Sequence, residues 1–356
     1  MKLLKLSYID SNWELKDLEL NSVNLVVAKN STGKSRTLST LDLLVKMITQ
    51  RRDLNWGGRW SIEFCTFANQ IVKYDFATSY REQGVVTAER ILIDNVQYLF
   101  RDKNGSAKIK NKLTGTFDDV HPPENKLVLH TNRDIRKYPF LENIADWAEK
   151  CYGFKFGNIS PFSKLNQQEY DLLTAVEDIP TLFQSLNSKN QDSVIKQFNS
   201  TGYSISKITV QNKEIVIIYV KEDGVEKPLP HYQLSQGMFR TLSVIIYLEY
   251  LISRKKPAMI IIDDLCEGLD YERAKKLGEL IFNKCLQSDI QLVATSNDVF
   301  LMDVVDIKYW NILMRKGKVI TALNNKNSPK IFSDFRFTGL SNFDFFASDF
   351  LKQELQ

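Results

Sequence analysis

The chain has 356 residues, of which 43% are hydrophobic, so it is long enough to bury a sizeable core as two lobes or as one large domain with an insertion. Lysine and arginine number 47 against 43 for aspartate and glutamate, and the resulting net charge of +4 is too small to mark a dedicated nucleic-acid binder. The 4 cysteines and 3 histidines show no metal-ligand spacing, and no apolar run reaches the length of a membrane span, which argues against a metal cage, a disulfide scaffold and a membrane protein.

The first predicted elements are three short strands bounded by turn residues, at Met1–Asp10, Trp13–Leu20 and Val23–Val27. The third strand runs directly into a loop, and the pattern over Arg36–Met47 is helical. Strand, loop and helix in this order are typical of a P-loop, in which backbone N–H groups and the helix N-terminus converge on the phosphates of a nucleotide. The predicted phosphate-binding residues are Ala28, Lys29, Asn30, Ser31, Thr32, Gly33, Lys34, Ser35 and Arg36.

Several residues of this region have specific predicted roles. In P-loop NTPases the lysine contacts the terminal phosphates and the next hydroxyl binds Mg²⁺, so we assign Lys34 to the γ-phosphate side and Ser35 to the metal. Ala28 stands where the pattern has its first glycine, and its methyl group requires a backbone with φ below zero. Trp13 begins a strand beside a turn and has two interpretations, since it either stacks on the adenine of ATP or packs in the core.

The segment after the first helix predicts antiparallel β structure. Its alternating or β-rich patterns cover Ser61–Phe67, Ile71–Ser79, Val85–Asp94 and Val96–Arg101. A hairpin turn is predicted at Asn104-Gly105, and the strand after it presents Lys108, Lys110 and Lys112 on one face at a period of two. This lysine stripe either contacts phosphates or is simply a solvated face.

The next segment is predicted to be mainly helical. Candidate helices cover Phe140–Tyr152 and Gln167–Leu186, and no heptad pattern is sustained. Ser206–Gln211 and Glu214–Lys221 then predict a hairpin. Pairing is expected to stop at the prolines that follow, Pro228 and Pro230.

The last third of the chain places polar residues at the ends of apolar elements. The sequence LSQGM precedes an apolar helix over Phe239–Ile252, and an apolar strand over Ala258–Ile262 ends in Asp263 and Asp264. A carboxylate that ends a strand beside the P-loop strand suits the Mg²⁺ shell, so we assign Asp263 to the metal. The remaining predicted elements are a helix over Tyr271–Leu286, a strand over Gln291–Thr295 and a helix cap at Ser296-Asn297-Asp298.

The motifs AKNSTGKS, LSQGM, IIIDDLCEGLD and QLVATSND stand in this order along the chain. They resemble the P-loop, signature, Walker B, D-loop and switch segments of the ABC-type ATPase superfamily, in particular its soluble branch of structural-maintenance-of-chromosomes heads, recombination-repair ATPases and overcoming-lysogenization-defect ATPases. The resemblance implies an α/β fold, namely a P-loop NTPase head of the ABC type with a central sheet, an antiparallel β subdomain and an inserted helical lobe. It also implies that ATP is sandwiched between two protomers, with Ser235, Gln236 and Gly237 of one protomer meeting the γ-phosphate held by the other.

Two positions depart from the pattern of this superfamily. Asp264 stands where relatives have a glutamate that orients the attacking water, and Glu267 is the alternative carboxylate. Ser296 or Asn297 stands where relatives have a switch histidine. Because aspartate is one methylene shorter than glutamate, we expect slow hydrolysis.

We divide the chain into an N-terminal ATPase lobe (1–132), a helical lobe (133–204), a C-terminal ATPase lobe (205–330) and an aromatic and acidic segment (331–356) that docks into its own core or into a partner. The predicted function is an Mg²⁺-dependent, ATP-hydrolysing switch that self-associates and controls a separate effector in anti-phage defence or genome maintenance. The alternatives are a transporter's nucleotide-binding subunit and a non-hydrolysing, ATP-bound scaffold. We expect a cytoplasmic location, no membrane partner and at most weak, salt-sensitive DNA binding.

Overall fold

The computed structural model describes residues 1–80, 84–161, 179–212, 216–336 and 341–347. Within these residues the chain forms two compact units, each built from segments that are distant in sequence. The first unit comprises Met1–Asn21, Val27–Cys151 and Asn311–Asn324, and the second comprises Ser22–Val26, Tyr152–Trp310 and Asn325–Gln356. These divisions differ from the four segments predicted above, whose boundaries stay a prediction.

Strands account for much of both units. In chain order they are β1 (Lys2–Ile9), β2 (Glu14–Glu19), β3 (Val23–Val27), β4 (Gly58–Cys65), β5 (Ile71–Ser79), β6 (Val85–Ile93), β7 (Val96–Arg101), β8 (Ala107–Lys110), β9 (Phe117–Val120), β10 (Cys151–Lys155), β11 (Ile205–Asn212), β12 (Val216–Glu222), β13 (Leu229–Pro230), β14 (Ala258–Asp263), β15 (Ile290–Thr295), β16 (Trp310–Lys316) and β17 (Val319–Leu323).

The helices follow the same order. They are α1 (Lys34–Ile48), α2 (Val128–Thr131), α3 (Pro139–Glu149), α4 (Ile179–Ser185), α5 (Ser188–Ser200), α6 (Gln236–Ser253), α7 (Tyr271–Leu286), α8 (Val299–Val304), α9 (Pro329–Arg336) and α10 (Asn342–Ala347). Among the described helices, none combines the length and the apolar content needed to cross a membrane.

The first unit is built on a sheet with the strand order β16-β17-β2-β1-β4-β5-β6-β7-β8-β9. Neighbouring strands of this sheet from β1 to β9 pair antiparallel. Within the strand order given, the parallel pair is β17 with β2. Along β5 buried and partly exposed residues alternate, because successive side chains of a strand point to opposite faces. The antiparallel β region predicted between the first helix and the helical segment is therefore confirmed.

The second unit contains the strand order β10-β14-β15-β3. The strands β14, β15 and β3 are parallel, and almost every residue in them is buried, which accounts for their continuous apolar sequences. The strand that ends in Asp263 was predicted to lie beside the P-loop strand, but β15 separates β14 from β3. A separate sheet joins β11, β12 and β13, and the hairpin predicted there is confirmed. Helices α4 and α5 pack on α6.

Three elements differ from the sequence predictions. The helix predicted to reach Tyr152 ends at Glu149, because Cys151 begins β10, in which Cys151 and Phe154 are buried. Most of the helix predicted over Gln167–Leu186 lies outside the described residues, and α4 is its described part. Pro230 does not stop pairing but forms β13 on the edge of the small sheet, a position where a missing N–H costs no ladder bond.

The C-terminal helices dock into the second unit. Phe332, Phe335 and Phe345 are buried, and the ring centroids of Phe335 and Phe345 lie 4.3 Å apart. The amide of Asn342 donates hydrogen bonds of 3.2 and 3.1 Å to the carbonyl oxygens of Met302 and Val305 at the end of α8. Of the two possibilities raised for this segment, docking into its own core therefore describes α9 and α10.

A buried polar cluster ties the 122–130 segment to the antiparallel sheet. Glu89 is 1% exposed and accepts hydrogen bonds from the hydroxyl of Tyr74 at 2.9 Å and the backbone N–H of Val128 at 2.7 Å. The guanidinium of Arg101 donates to the carbonyl oxygens of Pro123 and Lys126. Burial raises the pKa of Glu89 to about 7, although the hydrogen bonds that its carboxylate accepts from Val128 and Tyr74 oppose the shift.

This raised pKa predicts a pH-dependent stability. Between the ordinary glutamate pKa of 4.5 and about 7, the folded state keeps a proton that the unfolded state has released, so the free energy of unfolding falls as the pH rises through this window. The full loss is about 3 kcal/mol, at roughly 1.4 kcal/mol per pKa unit. In urea denaturation between pH 4.5 and pH 8, the free energy of unfolding of the native chain should fall with pH relative to that of Glu89→Gln, which keeps an acceptor and a donor without the charge.

Comparing the two proteins is necessary because other groups titrate in the same range. Burial lowers the pKa of His130 to about 4, which makes the free energy of unfolding rise with pH in both proteins. Identical slopes in the native chain and Glu89→Gln would contradict the assignment of a protonated Glu89.

Candidate functional site

The P-loop begins where β3 ends. Ala28 is buried and its φ lies outside the left-handed region, which meets the requirement stated for an alanine at this position. Ser31 and Gly33 have φ angles of +63° and +119° and turn the backbone into α1. The Nζ of Lys34, which is 8% exposed, donates a hydrogen bond of 2.6 Å to the carbonyl oxygen of Ala28. The side chain of Lys34 therefore folds back over the P-loop and contacts its first residue, Ala28.

The ring of Trp13 packs against Gly33 of this loop. Its side chain is 1% exposed, and a Cβ atom added to Gly33 would lie 2.4 Å from its Cη2. The guanidinium of Arg36 lies 4.5 Å from the centroid of the ring, and its Nη2 lies 3.7 Å from Asp10. The geometry favours a packed aromatic over the alternative of adenine stacking, because the ring is enclosed between Gly33 and Arg36.

A strand from the opposite end of the sequence also contacts the loop. Arg315 in β16 donates a hydrogen bond of 3.1 Å from Nη1 to the carbonyl oxygen of Ser31 and one of 2.8 Å from Nε to that of Gly317. The first bond holds the tip of the loop, where the backbone is left-handed. Sequence reasoning missed Arg315, since its position 284 residues after Ser31 carries no local signal.

A cavity of about 490 Å³ opens beside the start of α1 in the first unit. Two of its aromatic side chains are accessible, since Trp56 is 41% exposed and Tyr80 is 85% exposed. The Nε1 of Trp56 donates to the hydroxyl of Tyr8 at 3.1 Å, which fixes the indole. The lining residues are Asp10, Ser11, Asn12, Arg36, Trp56, Gly57, Gly58 and Tyr80.

In the second unit, two adjacent aspartates follow the end of a parallel strand. Asp263 ends β14, is 5% exposed, and accepts a hydrogen bond of 2.6 Å from the hydroxyl of Thr295 at the end of β15. The same hydroxyl accepts a bond of 2.9 Å from the backbone N–H of Asp264. The hydroxyl of Thr295 therefore fixes both aspartates, Asp263 at its carboxylate and Asp264 at its backbone N–H.

The carboxylate of Asp264 faces two polar side chains. Its Oδ2 lies 3.4 Å from the ammonium of Lys155, and its Oδ1 accepts a hydrogen bond of 3.2 Å from the amide of Asn297. Burial acts to lower the pKa of Lys155, but its hydrogen bond to Asp264 and the charge of that carboxylate outweigh burial and raise it, so the ammonium form is favoured. Sequence reasoning placed Lys155 in a helical segment and missed it.

The backbone explains why an aspartate occupies this position. Asp264 has a φ of +52°, in the left-handed region that aspartate and asparagine tolerate better than other L residues do. A glutamate at this position would be less tolerant of the left-handed conformation, because its longer side chain does not form the local hydrogen bonds that stabilise aspartate there.

The side chains of the other two predicted catalytic residues, Ser296 and Glu267, have different partners. Ser296 is 0% exposed, and its hydroxyl donates to the carbonyl oxygen of Leu265 at 3.0 Å and accepts from the N–H of Asp298 at 3.0 Å. Glu267 is exposed, and its carboxylate lies against Gly157, where an added Cβ would come within 2.1 Å of Oε2. Of the two candidates for the switch position, only Asn297 contacts Asp264.

The signature residues lie at the start of α6. Ser235 is its N-cap and accepts a hydrogen bond of 3.3 Å from the N–H of Met238, while its side chain and that of Gln236 are exposed. A Cβ on Gly237 would lie 3.1 Å from Leu269. The helix start is therefore capped and accessible at the same time.

Comparison with solved structures identifies the fold. An SMC head, solved bound to the C-winged helix domain of ScpA, aligns with a TM-score of 0.52 and 11% identity over 93% of this chain and 100% of its own. The SMC head domain of Thermotoga maritima aligns with a TM-score of 0.49 and 12% identity, over 91% and 99% of the two chains. The Pyrococcus furiosus Smc head, solved with an extended coiled coil and the C-terminal domain of ScpA, aligns with a TM-score of 0.48 and 13% identity, over 94% and 99%. At 11% identity the first likeness concerns the fold alone, and it confirms the predicted P-loop ATPase fold.

Comparison of sequences gives the family. No curated protein matches the chain. The family model described as "AAA domain, putative AbiEii toxin, Type IV TA system" matches residues 23–303, a range that begins at β3 and includes the P-loop, the signature and both aspartates. Since this range covers most of the 356 residues, the chain belongs to this AAA-domain family of P-loop ATPases, as its resemblance to the soluble ABC-type ATPases predicts.

Proposed function

We propose that the chain is an ATP-driven switch that binds ATP with Mg²⁺, hydrolyses it slowly and self-associates when ATP is bound. The observation that carries the proposal is the P-loop of an ATPase-family chain, with Lys34 enclosed by the loop and left-handed residues at Ser31 and Gly33. Successive backbone N–H groups in such a loop, followed by a helix N-terminus, suit a chain of phosphates.

Each part of the nucleotide has an assigned set of residues. The phosphates bind residues 28–35, and the adenosine binds the cavity that contains Trp56 and Tyr80, whose exposed rings offer a surface for a base. The hydroxyl of Ser35 in the first unit and the carboxylate of Asp263 in the second unit are each proposed as Mg²⁺ ligands, since this hard cation prefers hydroxyl and carboxylate oxygens. When bound, Mg²⁺ neutralises charge on the phosphates.

Asp264 is the general base in this proposal. Its carboxylate is held by Lys155 and Asn297, and a fixed carboxylate can accept a proton from an attacking water. The ammonium of Lys155 lies 3.4 Å from Oδ2 of this carboxylate and restrains its position. The short side chain of an aspartate favours slow hydrolysis and a long-lived ATP-bound state.

Self-association is assigned to the signature surface, defined as Ser235, Gln236 and Gly237. These residues are capped, accessible and placed at a helix N-terminus, where an anionic γ-phosphate from a second copy is favoured. We further assign the output to a separate effector protein, in anti-phage defence or genome maintenance, which accords with the toxin–antitoxin description of the family and with the binding of ScpA to SMC heads.

The first prediction tests nucleotide binding. Lys34→Ala should weaken ATP binding at least about tenfold, because the phosphates lose their closest cation in a partly shielded site. Isothermal titration with a non-hydrolysable ATP analogue and Mg²⁺ measures the effect, and Lys103→Ala, an exposed turn lysine, serves as the control. Native affinity in Lys34→Ala would overturn the P-loop assignment.

The second prediction tests the base. Asp264→Asn should lower the single-turnover rate by about 10²-fold or more, since asparagine keeps the left-handed backbone but cannot accept the proton. Glu267→Gln should stay within about twofold of the native rate, because Glu267 is exposed and packs against Gly157. The assignment is wrong if Glu267→Gln is the slow variant, and a native chain without any turnover would favour the non-hydrolysing scaffold.

The third prediction tests the trans contact. Ser235→Arg should abolish the increase in mass that an ATP analogue produces in light scattering, because a long cation occupies the helix N-terminus. Ser253→Arg, at the opposite end of α6, is the matched control and should associate like the native chain. Equal masses with and without nucleotide in all three proteins would exclude ATP-dependent association.

A further inference from the structure

A second cavity in the first unit lies apart from the P-loop residues. It has a volume of about 390 Å³ and is lined by β5, β6, β7, the end of β8 and the start of α3. Its apolar wall includes Val72, Ile93 and Phe140, and its polar residues include Gln70 and Asn143, both exposed. A volume of this size lies within the range of small-molecule sites, roughly 300–1,000 Å³.

The cavity carries positive charge without a compensating acid in its lining. Lys110 and Lys112, two members of the lysine stripe, line it, and no aspartate or glutamate does so among the described residues. Two aspartates bond to lining residues: Asp118 accepts hydrogen bonds from Asn111 at 2.8 Å and from the hydroxyl of Tyr138 at 2.6 Å, and Asp94 accepts one of 3.3 Å from the amide of Gln70. An anion in the cavity would therefore meet two ammonium groups.

The third lysine of the stripe is different. Lys108 lies on β8 two residues before Lys110 and is not among the residues that line the cavity. Its ammonium lies 3.8 Å from the carboxylate of Asp119 on β9. The predicted stripe on one strand face is therefore correct only for Lys108 and Lys110, because β8 ends at Lys110 and Lys112 lies in the turn that follows. Lys108 pairs across the sheet, whereas Lys110 and Lys112 line the cavity.

The start of α3 and an aromatic pair complete the lining. Pro139, Phe140 and Asn143 belong to the first turns of this 11-residue helix, and its N-cap, Tyr138, makes no side-chain capping bond. The N-terminal end of a helix favours negative charge. The rings of Tyr98 and Phe140 meet edge to face at 5.3 Å, and the Nζ of Lys110 lies 4.8 Å from the centroid of Tyr98.

We propose that this cavity binds a nucleoside phosphate, with the phosphate between Lys110 and Lys112 and the base against Tyr98 and Phe140. Two ammonium groups and a helix start suit a phosphate, while the aromatic and aliphatic wall suits a planar ring that a simple inorganic anion lacks. The ligand is either a free mononucleotide or the terminal nucleotide of a strand. The site is distinct from the ATP site and does not depend on the proposed ATPase activity.

The test uses the full chain carrying Lys34→Ala, so that the P-loop does not contribute. Thymidine monophosphate and a 5′-phosphorylated ten-nucleotide oligothymidylate are titrated by calorimetry, with unphosphorylated thymidine as the reference. At least one phosphorylated probe should bind, and binding should weaken as NaCl rises from about 50 to about 200 mM. Binding of the mononucleotide identifies a free nucleotide as the ligand, and binding of the oligonucleotide alone identifies a strand end.

Matched variants locate the binding. Lys110→Ala combined with Lys112→Ala should weaken binding at least about tenfold, since the phosphate loses both of its charge-assisted hydrogen bonds. Asn143→Trp, which fills the mouth without changing the charge, should do the same, whereas Lys108→Ala should change it less than about twofold. The proposal is overturned if neither phosphorylated probe binds, if thymidine binds as well as its monophosphate, or if Lys108→Ala weakens binding as much as the double variant.

Discussion

The contact between Gly33 and the ring of Trp13 constrains the whole P-loop. A side chain at residue 33 would both collide with the indole at 2.4 Å and adopt a φ of +119°, a conformation that costs an L residue about 1–3 kcal/mol. The indole in turn keeps a buried Nε1 with no hydrogen-bond partner in the described structure, a cost of about 1–3 kcal/mol. The ring packs against Gly33, the N-cap of α1, so only a glycine fits at the residue that precedes Lys34.

A different constraint acts at the end of β14, where two neighbouring carboxylates have separate surroundings. Asp263 continues the strand and is buried against the hydroxyl of Thr295, whereas Asp264 turns into the left-handed region toward Lys155 and Asn297. The left-handed turn at Asp264 leaves Asp263, the proposed metal ligand, buried and Asp264, the proposed base, partly open.

The sequence was informative where a pattern is local. The bounds of β5, β7 and α7 agree with the predictions, because alternation or helical periodicity continues to a turn residue at each end. It was uninformative where a residue acts through a partner far along the chain. The sequence alone does not distinguish Ser296 from Asn297 as the residue beside Asp264. In the structure the hydroxyl of Ser296 donates to the carbonyl oxygen of Leu265, and the amide of Asn297 donates to Asp264.

The missed strand β10 shows why such residues matter for the site. It is five residues long and follows α3 after a single residue, so its pattern merges with that of the helix. Yet its last residue, Lys155, pairs with Asp264, and the turn that follows presents the carbonyl oxygen of Gly157 to the guanidinium of Arg240 in α6. Because Arg240 also contacts the side chain of Gln236 at 3.4 Å, the segment after β10 joins the signature surface to the surroundings of the proposed base within one unit. A prediction that extends the helix to Tyr152 and places no strand after it therefore loses the connection between these two parts of the site as well as β10.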